Sequence, residues 1–97
     1  MTFGISEKLM EAIKARAEAH GLDRLILFGS RARGDWRKTS DIDLAASGGN
    51  VPAFAVDVSE DAPTLLDFDI VNLDGAVQGE LRESIAREGV VIYEKVR

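Results

Sequence analysis

The chain reads as a small α/β (α+β) domain, a mixed β-sheet backed by helices. Three observations predict that class. Segments near both ends carry apolar residues at i, i+4 and i+8, the spacing of a helix with one buried stripe. Short apolar or alternating runs lie between glycines, as strands do. The two kinds interleave as αβ(α)βαβαβ without repeats or low-complexity stretches, the order of a sheet with helical layers. The 97 residues make one domain, because halves would fall below the size that folds unaided.

The first helix is expected from about Ser6 to His20. Leu9, Ile13 and Ala17 form its stripe, Ser6 is the N-cap, and Gly21 stops it. Leu25 to Phe28 is continuously apolar, as in a strand buried on both faces. Gly29 to Gly34 (GSRARG) turns and starts a single helical turn, and Asp35 to Thr39 is a polar loop with the only tryptophan. Asp41 to Leu44 alternates, predicting a strand with Ile42 and Leu44 inward. Ser47 to Asn50 is a loop, and Pro52 opens a short helix running to about Asp61. Leu65 to Leu73 alternates again, with Asp67, Asp69, Val71 and Leu73 on one face and Phe68 and Ile70 on the other. Ala76 to Glu88 is helical through Val77, Leu81 and Ile85. Gly89 ends it, and Val90 to Tyr93 closes the chain as a last strand.

Composition narrows the function. Apolar residues make up 45% and charged residues 30%, a soluble globular balance that argues against disorder. Twelve Lys and Arg against seventeen Asp and Glu give a net charge of −5. Direct nucleic-acid binding on a basic face is therefore not expected, whereas divalent cations or a basic partner suit the charge. The absence of cysteine excludes disulfides, thiolate metal sites and thiol nucleophiles. One histidine adds no basis for structural zinc. The longest apolar run, Leu25 to Phe28, cannot span a bilayer and the N-terminus lacks a signal-peptide pattern, so a cytoplasmic protein without membrane contact is expected.

Three features carry chemistry. Gly29-Ser30 falls where a buried strand meets a helical turn. Free N–H groups there favour phosphate and glycine admits close approach, although Gly-Ser is also ordinary turn chemistry. Asp41 and Asp43, two apart on a strand, send both carboxylates to one face roughly 6–7 Å apart. Unpaired, they repel by on the order of 2.5 kcal/mol at an effective dielectric near 20. Screening in water reduces that cost, and a hard cation such as Mg²⁺ turns it into attraction. Asp67 and Asp69 repeat the pattern on the next strand. If that strand neighbours the first, a third carboxylate completes a set able to hold two divalent ions for in-line phosphoryl or nucleotidyl transfer.

Gly29-Ser30, ten residues, then Asp41-Ile42-Asp43 resembles the signature of the DNA polymerase β-like nucleotidyltransferase superfamily. The string GSRARG…SDIDL, followed by DFDIVNL, is similar to its smallest branch, the minimal nucleotidyltransferases (MNT proteins). The resemblance covers nearly the whole chain and is weakest between Gly48 and Pro63. It implies that Gly29 and Ser30 bind the triphosphate of ATP and that Asp41 and Asp43 bind both Mg²⁺ ions. The family's third carboxylate lies in a hydrophobic-Asp-hydrophobic-hydrophobic context, which Phe68-Asp69-Ile70-Val71 matches. Asp69 is thus implied as the catalytic-metal ligand that helps deprotonate the nucleophile, with Asp67 as the alternative.

Arg31, Arg33, Arg37 and Lys38 crowd this region. Contacts to the β- and γ-phosphates, through Arg31 and above all Arg33, are one reading; ion pairs with Asp35 and the aspartates are the other. Trp36 has three readings: stacking on a base, packing on a partner, or covering the sheet end. His20, at a helix end, needs no catalytic role.

The resemblance also implies a partner. MNT proteins typically pair with a small helical HEPN protein in a toxin–antitoxin module, so a hetero-oligomer is expected. The antitoxin would transfer AMP from ATP to a tyrosine of the HEPN RNase toxin and release pyrophosphate. The alternatives are an antitoxin acting by binding alone and an adenylyltransferase for a small molecule.

Overall fold

The computed structural model describes residues 2–96. Helix α1 (Glu7–Ala19) begins where the Ser6 hydroxyl accepts a hydrogen bond from the Leu9 N–H at 3.1 Å, and it buries Leu9, Ile13 and Ala17. The apolar run that follows is β1 (Arg24–Phe28). Leu25 and Leu27 point to one face, Ile26 and Phe28 to the other, so both faces are covered. Gly29 at φ 74° turns the chain into the five-residue helix α2 (Gly29–Arg33), which Gly34 ends at φ 95°.

Strand β2 (Ile42–Ser47) differs from expectation at both ends. It starts after Asp41, and it continues through Ser47 because β1 offers an antiparallel partner for every residue from Asp43 to Ser47. Helix α3 (Val51–Asp61) is capped by Asn50, whose side-chain oxygen accepts from the Ala53 N–H at 3.1 Å, with Pro52 in the first turn. It buries Val51, Phe54 and Val58.

Strand β3 (Phe68–Asn72) is shorter than the alternating run from Leu65. Its ladder with β2 starts at Ile42↔Phe68, so Leu65 and Leu66 have no strand to pair with. Helix α4 (Gly79–Glu88) starts three residues later than the pattern from Ala76 suggests, after Gln78, which makes no side-chain capping bond. Val77 stays outside the helix and Ile85 becomes its buried anchor. Strand β4 (Val90–Glu94) completes a sheet of order β3-β2-β1-β4, in which β2 and β3 are parallel and the other pairs antiparallel.

The sheet has two unequal faces. Helices α1 and α3 cover one, over a core that includes Ile13, Leu25, Leu27, Ile42, Leu44, Phe54 and Val58. Helix α4 covers part of the other through a small cluster of Phe28, Ala45 and Ile85. Arg16 and His20 of α1 both reach Asp57 of α3, at 3.1 and 2.8 Å, and tie the two helices together. No described helix is long and apolar enough to cross a membrane.

Candidate active site

The end of β1, the start of β2 and the start of β3 meet at one edge of the molecule. Alternation along β2 puts Ile42 and Leu44 into the main core and turns Asp43 to the α4 face. Register then places Phe28 of β1 on one side of Asp43 and Asp69 of β3 on the other. Gly29 follows Phe28, and a Cβ there would collide with the Asp43 carboxylate. The glycine is required twice, by its positive φ and by the carboxylate that fills the place of its side chain. The Gly-Ser turn and the Asp-x-Asp segment are thus in direct contact.

Asp43 is half-buried, and its carboxyl is held above the usual range. Desolvation is the largest cause, followed by the negative charges of Asp69 and Asp41; Arg33 and Arg31 pull the other way. Asp41 and Asp69 are exposed. Asp41 belongs to the loop just before β2 instead of the strand itself. Asp67 lies just before β3, where its carbonyl accepts from the Ile42 N–H at 2.9 Å, and its charge is not among those acting on Asp43. Asp69 is therefore the neighbour of Asp43. Among the described residues, no three His, Asp or Glu side chains are grouped closely enough to enclose a metal ion.

The cations divide sharply. Arg33 is exposed and pairs with Asp35 and with Glu88 of α4, each at 3.4 Å. Arg31, expected as a phosphate contact, is engaged inside the protein. It is only 1% exposed and directs its N–H groups to backbone carbonyls: Nε and Nη2 to Ser40 at 3.2 and 2.8 Å, and Nη1 to Phe3 and Gly4 at 3.1 Å each. Trp36 lies over its guanidinium, 5.3 Å from ring centroid to Cζ, so the ring covers a cation inside the protein. Arg37 and Lys38 are exposed, and their carbonyls face Arg31 at 3.5 Å. His20 is engaged by Asp57, away from these groups.

A glycine-led turn pressed against an acidic strand residue, on a four-stranded mixed sheet, is the architecture of a nucleotidyltransferase. The polymerase beta nucleotidyltransferase family model matches residues 10–97, and the chain belongs to that family. It is similar to a solved structure given as a candidate minimal nucleotidyltransferase, with 30% identity over 93% of this chain and 95% of that one and a TM-score of 0.70. Two toxin–antitoxin structures share the fold at lower identity. One, a toxin–antitoxin with AMP-PNP, has 19% identity over 93% of this chain and 75% of that one, with a TM-score of 0.70. The other is a tri-AMPylated Shewanella oneidensis HEPN toxin in complex with an MNT antitoxin. It has 18% identity over 90% of this chain and 71% of that one, with a TM-score of 0.64. A search of curated proteins gave no match.

Proposed function

We propose that this protein is the antitoxin of a HEPN/MNT pair and transfers AMP from ATP to a tyrosine of its HEPN partner. The observation that carries the reading is the Gly29–Asp43 contact beside Asp69. It brings a phosphate-accepting turn against a carboxylate whose charge is opposed first by burial and then by Asp69 and Asp41. The likeness to structures containing an AMP-PNP-bound toxin–antitoxin and a tri-AMPylated HEPN toxin supports the partner and the transferred group.

The donor set fits Mg²⁺: oxygen ligands only, and a mutual repulsion that a divalent cation relieves. Asp41, Asp43 and Asp69 would hold it, and bound there it supplies charge neutralisation and a more acidic acceptor hydroxyl. Gly29 and Ser30 present N–H groups and a hydroxyl to the triphosphate, and Arg33 offers the nearest exposed cation. Asp69 helps take the proton of the attacking tyrosine. The tyrosine oxygen forms a bond to the α-phosphorus, the bond from that phosphorus to the β-bridging oxygen breaks, and pyrophosphate leaves. With an acidic surface of net charge −5, docking to a basic RNase is electrostatically favoured.

The test is the intact mass of the protein that co-purifies with this chain, measured after incubation with ATP and Mg²⁺. Addition of one or more AMP groups by the wild type and none by Asp43→Asn is the expected result. A partner captured equally by both and modified by neither would leave an antitoxin that acts by binding alone.

A further inference from the structure

Arg31 is the largest fully buried side chain of the molecule and the only charged or polar one in its interior among the described residues. Its place in the chain is telling. It follows Gly29-Ser30 in α2, yet its guanidinium reaches two segments remote from that motif. Nε and Nη2 both grip the carbonyl of Ser40, the residue directly before Asp41. Nη1 grips the carbonyls of Phe3 and Gly4.

Those two carbonyls belong to a tight N-terminal turn. Thr2 and Ile5 exchange backbone hydrogen bonds at 3.3 and 2.9 Å, and the residues between them both have positive φ, Phe3 at 57° and Gly4 at 70°. Positive φ at both central positions is the type I′ arrangement. It turns successive carbonyls toward one point, and Arg31 occupies that point. Gly4 is flush with its surroundings: a Cβ there would lie 2.7 Å from Arg31 Nη1 and from the Trp36 ring.

Only arginine can do this. Five N–H donors in a rigid plane serve carbonyls on separate sides, whereas the ammonium of lysine places three donors at one point. Among the described residues no carboxylate pairs with Arg31 within 4.0 Å, so the charge is held by carbonyl dipoles, the Trp36 face and the field of Asp43.

We propose that Arg31 is a positioning residue for the Asp41–Asp43 site, and that the N-terminal turn at residues 2–5 is part of the same scaffold. Asp41 precedes β2 and lacks the ladder that fixes Asp43. Its backbone is placed instead by the Ser40 carbonyl on Arg31, and Arg31 is placed by the N-terminal turn. The inference rests on the transferase reading, since it assigns Asp41 to the metal-binding set.

The test compares wild type, Arg31→Lys, Gly4→Ala and Asp43→Asn. Mn²⁺ binding is read from the electron paramagnetic resonance of the free ion, and amide hydrogen exchange is followed at residues 35–41. Measurements are made on folded protein, well below each variant's melting temperature. Arg31→Lys keeps the charge and loses the fork. It should speed exchange at residues 35–41 and weaken Mn²⁺ binding by about 10- to 100-fold, the range for residues that orient metal ligands. Gly4→Ala leaves the guanidinium intact and displaces it from the far side, so it serves should Arg31→Lys not fold; a smaller loss in the same direction is expected. A folded variant with faster exchange but wild-type Mn²⁺ affinity would reduce Arg31 to loop packing and overturn the proposal. Wild type binding Mn²⁺ no better than Asp43→Asn would strike at the transferase reading itself, and the positioning role would fall with it.

Discussion

Successive residues of β2 live in opposite surroundings. Ile42, Leu44 and Ala46 are fully buried beneath α1 and α3, in a cluster that extends from Ile5 to Val58. Asp43 and Ala45, between them, face the other way, where the buried cluster is only Phe28, Ala45 and Ile85. One face of the sheet stabilises the fold. The other is thinly covered, and where its apolar cluster ends the carboxylates begin. Period-two alternation lets a single strand serve both purposes without mixing them, since a core residue and a site residue can be adjacent in sequence yet lie on opposite faces.

The largest effect should come from Asp43→Asn. Loss of a charge that the reaction needs is expected to lower kcat by about 10³-fold or more, the equivalent of several kcal/mol. Stability should move the other way. The Asp43 carboxyl is held above its usual range, so its contribution favours the fold at low pH and is lost as pH rises through the carboxylate range. Asp43→Asn should therefore melt at or above the wild-type temperature at neutral pH, with the gain vanishing below about pH 3.9. Mg²⁺ should raise the melting temperature of wild type and leave the variant unmoved. A variant less stable at neutral pH would break the division between the faces.

Leu44→Ala, one residue away, should do the reverse. It is expected to cost about 2–5 kcal/mol in denaturant unfolding, with kcat of the folded fraction retained. Ile85→Ala tests the thin face. Its neighbours Ile26, Val71, Leu73 and Leu81 are only partly buried, so the site relaxes more easily and a loss near about 2 kcal/mol is expected. Equal losses at Leu44 and Ile85 would mean that both faces carry the fold alike.

The smallest effect lies at the α1–α3 contact. Asp57 is held below the usual carboxylate range, first by its hydrogen bond from His20 and then by the charge of Arg16, against a desolvation that pushes it up. A depressed carboxylate stabilises above its unfolded value and loses that contribution as pH falls through the folded one. Asp57→Asn should thus lower the melting temperature modestly at neutral pH and converge with wild type in strong acid. Parallel melting curves at every pH would remove the contact from the account.

Local pattern made much of this legible. The stripe of Leu9, Ile13 and Ala17, the Asn50–Pro52 helix start and the doubly buried β1 all follow from residues within a few positions of one another. Element ends were less legible because pairing partners set them. Strand β3 is short since β2 gives it nothing to pair with before Phe68, and β2 is long since β1 continues beside it. At the site, spacing singled out Asp41 and Asp43 and left Asp67 and Asp69 together; the family resemblance favoured Asp69, and register puts Asp69, not Asp67, beside Asp43. The burial of Arg31 was not legible, because its carbonyl partners at Phe3 and Gly4 are 28 and 27 residues away in sequence. A backbone carbonyl carries no sequence signal. The His20–Asp57 pair was hidden by its separation of 37 residues.

Transfer of AMP to the partner is tested most directly with ATP labelled on either the α- or the γ-phosphate. Each is incubated with Mg²⁺, the HEPN partner and either wild type or Asp43→Asn. The expected result is a partner labelled from the α-position only, by wild type only, with the γ-label recovered in pyrophosphate. Label arriving from the γ-position, or arriving equally with Asp43→Asn, would contradict it.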